Sequence, residues 1–272
     1  MIEVKNISFK YAGQKHFVFD DFSLTLNSNS IYGLLGKNGT GKSTLLYLIS
    51  GLLRPHRGKV SVDGNVSVKR KAEMLEEIFF VSEEFELPKC SLREYVNRNS
   101  GFYPRFSDAI LRNCLKEFEV PENPMLDQLS MGQKKKVFMS FALATNTRYL
   151  FMDEPTNGLD IPSKSQFRKV VAENMTEDRT LIISTHQVHD VEQLLDHILI
   201  LSESRLLLDA PTADIQEKYS FEYRSPSEMD DTVVYSEPAL QGNAVIARRK
   251  PESTETQINL ELLFNAVTKG NI

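Results

Sequence analysis

The sequence has only two cysteines, Cys90 and Cys114, and they form neither a CxxC pair nor any metal-ligand spacing. Free thiols in a reducing compartment are expected, and a disulfide framework is not. Long apolar runs are missing as well. Ile31 to Leu35 and Tyr149 to Met152 fall far short of the roughly 20 residues that cross a bilayer, and read as buried strands. Met1-Ile2-Glu3-Val4-Lys5 lacks the charged-then-apolar layout of a signal peptide, which points to the cytoplasm. Neither sign of charge dominates: 32 Lys and Arg against 37 Asp and Glu leave a net charge of −5 and no basic footprint, so no nucleic-acid partner is expected. Internal repeats and low-complexity stretches are absent. The 272 residues, 41% hydrophobic and 25% charged, suit one large α/β domain with a small appendage.

Apolar patterning fills in that outline. Ile2, Val4, Ile7 and Phe9, then Phe22, Leu24 and Leu26, alternate as antiparallel strands with one buried face do. Ile31–Leu35 is a continuous run, as in a strand covered on both faces. A Gly-rich turn follows it, and then a helical pattern from Lys42 to Ser50 that Gly51 stops. Further strands are legible at 78–81, 149–152, 181–184 and 198–201. Helical patterns at 163–175 and 188–195 alternate with them, which predicts a mainly parallel sheet. Residues from about 84 to 130 break this rhythm and read as an inserted helical subdomain, with Leu111, Leu115 and Phe118 on one helix face beginning near Ser107. Residues 1–211 thus form the main domain. Residues 212–272 read as an accessory α+β subdomain, with strands at 233–235 and 244–247 and a last helix at 260–267.

Gly36-Lys37-Asn38-Gly39-Thr40-Gly41-Lys42-Ser43 matches G-x-x-x-x-G-K-[ST] without a mismatch, between a buried strand and a helix. Glycines let main-chain N–H groups and the helix N-terminus wrap phosphate oxygens. The cradle so read is Gly36, Asn38, Gly39, Thr40, Gly41, Lys42, Ser43 and Thr44. Lys42 would reach the outer phosphates of ATP, and the Ser43 hydroxyl would ligate Mg²⁺. Asp153 and Glu154 close the strand that starts at Tyr149, and carboxyl ends of parallel strands face the ligand crevice. Asp153 there can hold Mg²⁺, and Glu154 can orient and deprotonate water.

Leu129-Ser130-Met131-Gly132-Gln133 resembles the LSGGQ signature of ABC ATPases, with Met131 in place of the first glycine. Asn157-Gly158-Leu159-Asp160 is similar to that family's D-loop, and Ser184-Thr185-His186 to its switch histidine. Tyr11 stands where the family's adenine-stacking aromatic is found, with Phe9 and His16 as nearby competitors. The resemblance runs from about Tyr11 to His186. It implies a P-loop NTPase cassette that dimerises head to tail with a second cassette. Ser130, Gly132 and Gln133 of one copy then meet the γ-phosphate held by Lys42 of the other. It also implies catalytic roles for Glu154, His186 and Lys42, and a nucleotide contact for Asp160.

Where the family carries a glutamine after the strand at 78–81, this sequence has Glu83, which could still ligate Mg²⁺ and is expected to alter its affinity or the turnover rate. The basic runs 69–71 and 134–136 read as solvated faces. Gly101 to Ser107, and Leu260 to Phe264, resemble export-type cassettes that drive a separate integral membrane permease, holding the chain at the inner face of the membrane. Phe85, Leu87 and Pro88 would line the permease groove. A soluble ABC ATPase of the iron–sulfur assembly type, acting without a permease, is the alternative.

Overall fold

The computed structural model describes residues 1–240, 242–250 and 254–272. Gln241 and Pro251 to Ser253, within the accessory segment, lie outside the described residues.

Two sheets build the main body. β1 (Ile2–Phe9), β2 (Phe19–Leu26), β4 (Arg57–Val62) and β5 (Asn65–Val66) form an antiparallel sheet in the order β2-β1-β4-β5. β3 (Ile31–Leu35), β6 (Ile78–Val81), β7 (Tyr149–Asp153), β8 (Thr180–Thr185), β9 (His197–Ser202) and β10 (Arg205–Pro211) make the second, in the order β10-β9-β3-β8-β7-β6. All its pairings are parallel except β9 with β10.

The period of two along β7 shows how this sheet is held. Tyr149 and Phe151 face the core shared with β1, β2 and α1 (Lys42–Ile49), whereas Leu150 and Met152 face the opposite core. Both faces are covered, which explains runs with no polar alternation. The opposite core is shared with α5 (Met131–Ala144) and α6 (Ile161–Glu173). One short turn, α2 (Ala72–Leu75), precedes β6, and α3 (Leu92–Asn99) and α4 (Asp108–Glu117) supply the helices of the inserted region. Ser91 and Ser107 cap α3 and α4, each side chain accepting a backbone N–H.

Beyond Pro211 come α7 (Thr212–Lys218), β11 (Tyr219–Arg224), β12 (Val233–Ala239), β13 (Gly242–Arg248) and α8 (Leu260–Thr268). The three strands form a separate antiparallel sheet in the order β11-β13-β12.

Two sequence expectations are corrected. Residues 188–195 are not one α-helix but two 3₁₀ turns, Val188–Asp190 and Glu192–Leu194. The fully buried, β-branched Val191 sits between them at φ −124°, outside helical geometry. The run 134–136 is not a solvated face: Lys135 is buried, and half-buried Lys136 donates to Phe118 O and Gln166 Oε1. Cys90 and Cys114 are free and buried, and burial pushes the Cys114 thiol up to about 12, which suppresses its thiolate.

Candidate active site

The carboxyl ends of β3, β7 and β8 converge on a cleft of about 380 Å³ lined by Tyr11, Asn38, Lys42, Ser43, Glu83 and Glu154 among others. Its floor is the turn from β3 into α1. Gly41 stands at the α1 N-cap with φ +102°, a conformation that suits glycine alone among ordinary residues. At Gly36 a Cβ would lie 2.8 Å from Leu201 O, so the loop and β9 approach too closely for any side chain. Within the loop, Thr40 Oγ1 donates to Lys37 O (2.9 Å).

Lys42 is 6% exposed and its Nζ donates to Gly36 O at 2.7 Å and Lys37 O at 3.3 Å, curling back over the loop. Burial pulls its pKa down, while the charges of Glu154 and Asp153 oppose that. A buried cation in a cradle of amides is chemically ready for an incoming anion.

Asp153 and Glu154 are both buried at the end of β7. Ser184 Oγ donates to Asp153 Oδ1, and Ser43 also bonds its side chain. Burial raises the Asp153 pKa, these two hydroxyls lower it, and the charges of Glu154 and Glu83 raise it. Glu154 is held differently. Its Oε2 accepts from Thr185 Oγ1 (3.0 Å), and its Oε1 accepts the His186 backbone N–H (3.1 Å) and meets His186 Nδ1 (2.8 Å). Lys42 Nζ lies 3.6 Å from the same oxygen. β7, β8 and α1 therefore meet on one carboxylate.

Tyr11 sits at the rim, partly exposed, with its hydroxyl 3.0 Å from Thr44 Oγ1. Phe9 stacks edge-on against Tyr11 but is itself buried in the sheet core. Glu83 lines the cleft and accepts Asn157 Nδ2 at 2.8 Å.

The signature residues are placed elsewhere. None of them lines this cleft in the same chain. Ser130 caps α5: its Oγ accepts Gln133 N–H (3.3 Å), and Gln133 Oε1 accepts Ser130 N–H (3.1 Å). Gly132 has open space where a Cβ would be, and Met131 is 60% exposed. Asp160 caps α6 by accepting Ser163 N–H (2.9 Å), and its pKa is lowered by the Ser163 bonds.

The ABC transporter family model matches residues 19–157. The chain belongs to that family. This cassette is 30% identical to the ABC transporter ATP-binding protein NatA of Bacillus subtilis, over 76% of this chain and 88% of that protein. A solved ATP-binding subunit of an ABC transporter superposes with a TM-score of 0.70 at 26% identity, covering 79% of this chain and 92% of its own. The cassette MJ0796, solved as a dimer in a post-hydrolysis state with ADP and Pi, superposes at 0.67 and 24% identity over 78% of this chain and 98% of its own. The protein is an ABC-type ATPase with the cassette fold, and ATP is its nucleotide.

Two buried groups at the cassette's joints were not found by sequence reasoning. Arg179 is 1% exposed and donates to Thr147 O, Asn174 O, Leu143 O and Asn146 Oδ1. Burial lowers its pKa to about 10, so it stays charged at neutral pH. Lys135 Nζ donates to Glu154 O (3.1 Å) and Asn157 O (2.7 Å). Neither has a motif; backbone carbonyls leave no trace in side-chain identity.

Proposed function

We propose that this cassette is the ATP-driven motor subunit of a transporter whose permease is a separate integral membrane protein. The observation that carries this reading is an open aromatic groove of about 590 Å³ between the sheet core and the helical insert. Leu52, Phe79, Phe80, Tyr95, Phe102 and Phe138 line it, and Phe102 and Leu52 are 67% and 53% exposed. Apolar surface of this kind marks a protein-binding face. Among the described residues no helix is long and apolar enough to cross a membrane. Phe85, Leu87 and Pro88 do not line the groove. Phe85 instead stacks on Phe138 (ring centroids 4.6 Å apart), and Leu87 packs against the core. The export direction rests on the resemblance at residues 101–107 and 260–264.

In the catalytic cycle so read, the cradle and Lys42 hold the triphosphate, and Glu154 takes a proton from water attacking the γ-phosphorus as the bond to the bridging oxygen breaks and ADP leaves with phosphate. His186, bonded to Glu154 Oε1, keeps that carboxylate oriented. Ser43, Asp153 and Glu83 would hold Mg²⁺: Ser43 and Glu83 line the cleft, and Ser43 bonds the Asp153 side chain. The donor set fits that ion, since a hydroxyl and two carboxylates offer the hard oxygens that Mg²⁺ prefers. Magnesium would neutralise charge on the transferring phosphoryl group. Tyr11 covers the adenine. The capped start of α5, with Ser130, Gly132 and Gln133, closes over the nucleotide of a second cassette, as does Asp160 beside it. The dimeric MJ0796 cassette supports this pairing.

A photocrosslinking residue in place of Phe102, introduced in the native host, tests the motor reading. The expected adduct is with one integral membrane protein, and is lost when Leu52 and Phe138 are both changed to Asp. An adduct with soluble protein alone would replace this reading with the assembly-machine one.

A further inference from the structure

Lys135 is a buried cation that the catalytic scheme above leaves without a role. It lies on the second turn of α5, the helix that Ser130 caps, and is 8% exposed. A lysine stem and charge are costly to bury unless the ammonium is well bonded. Its Nζ is given two acceptors, and both are main-chain carbonyls of one turn: Glu154 O at 3.1 Å and Asn157 O at 2.7 Å.

That turn is not relaxed. Glu154 adopts φ +46°, a left-handed conformation that costs a non-glycine residue about 1–2 kcal/mol. The turn closes on itself through Asn157 N–H to Glu154 O (3.2 Å), and Asn157 Nδ2 reaches Glu83 Oε1 (2.8 Å). The Lys135 ammonium thus ties the backbone of the catalytic carboxylate, and the residue that holds Glu83, to the first turns of the signature helix. Burial lowers the Lys135 pKa, and the charges of Glu83, Glu154 and Asp153 oppose that.

We propose that Lys135 is a positioning residue: it fixes the strained Glu154–Asn157 turn to α5, so that the helix gripping the partner's nucleotide also sets the aim of the base in its own chain. The inference rests on the reading of Glu154 as that base. A shift or tilt of α5 on closing over a partner's ATP then carries the Glu154 carbonyl with it, and the two nucleotide sites of a pair are mechanically joined through one side chain.

The test is steady-state hydrolysis of MgATP by the purified chain carrying Lys135→Met, which keeps the stem and removes the donors. The expected result is a fall in kcat of at least about tenfold with KM for ATP within about threefold, because the cradle and Lys42 are untouched. Lys135→Arg, which restores a cation with several donors, recovers most of the rate. If Lys135→Met does not fold, Lys135→Gln takes its place under the same criteria. A kcat within about twofold of the parent, a defect confined to KM, or a loss that Lys135→Arg does not relieve overturns the proposal. Glu154→Gln run alongside keeps the two ideas apart: if that variant hydrolyses at the parent rate, the assignment of the base fails, whatever Lys135 does.

Discussion

The proposed phosphate cradle was readable because its chemistry is local. Eight consecutive positions from Gly36 to Ser43 carry both the backbone freedom and the charge that an anion needs, and the fold adds only the strand and helix around them. Glu154 was readable by its place after a buried strand. Its holding network was not, since Thr185, His186 and Lys42 are brought to it by β8 and α1. That network predicts the outcome of Glu154→Gln. The amide is nearly isosteric and keeps one acceptor oxygen: at the Oε2 position it still accepts from Thr185 Oγ1 (3.0 Å) and lies 3.4 Å from the His186 backbone nitrogen, so the site keeps most of its shape and loses the proposed base. Hydrolysis is expected to fall by at least about 100-fold. Binding of MgATP, followed by equilibrium dialysis, should stay within a few-fold, and gel filtration with ATP should show dimer. Retained turnover would remove Glu154 from the mechanism.

At the scale of elements, legibility followed a regular apolar pattern, continuous in the doubly covered strands and alternating in β1 and β2. β3, β7, β8 and β9 are continuous apolar runs and were found, whereas β4 and the edge strand β10 carry polar residues on their open sides and were not. The segment after β8 misled because its apolar spacing suits a helix, while the buried Val191 breaks it into two turns. The first of those turns packs against α8, and a polar contact joins them: His189 Nε2 lies 2.9 Å from Glu261 Oε2. Beside it a cavity of about 460 Å³ is walled by Gly36, His186, Lys164 and Phe264, so α8 stands next to the segment that carries His186.

The Glu261 hydrogen bond, with the charges of Glu192 and Glu261, raises the His189 pKa against a partial burial that lowers it. A raised imidazolium stabilises the fold fully below the ordinary histidine value, and that contribution is lost as pH climbs through the raised one. Both partners are well exposed, so solvent limits the effect to at most about 1 kcal/mol. Glu261→Gln should therefore melt below the parent at about pH 6, with the gap closing by about pH 8.5. A gap that widens with pH would contradict the assignment.

The whole molecule is less divisible than its sequence texture suggests. Composition changes after Pro211, which reads as a boundary, yet one apolar core runs across it. Ile215, Phe221, Ile246, Leu260, Leu263 and Val267 belong to the same buried cluster as Ile198 and Ile200 of β9 and Val191 of the switch segment. A pattern read along the chain cannot reveal this, because the contact is between the face of one sheet and a helix arriving from far downstream. Burying each large aliphatic side chain stabilises by about 1.5–3 kcal/mol, and net domain stability is only about 5–15 kcal/mol. Removing residues 212–272 would strip several of these contacts at once and uncover apolar surface on β9. A chain ended at Pro211 should therefore melt at least about 10 °C lower than the full chain, or associate through the uncovered face, as seen by thermal circular dichroism and gel filtration. A monodisperse fragment with the parent's melting temperature would show that the cassette stands alone, and that α8 only leans on it. The predicted loss instead makes the C-terminal segment part of the cassette's own core, placed where it touches the segment that carries His186.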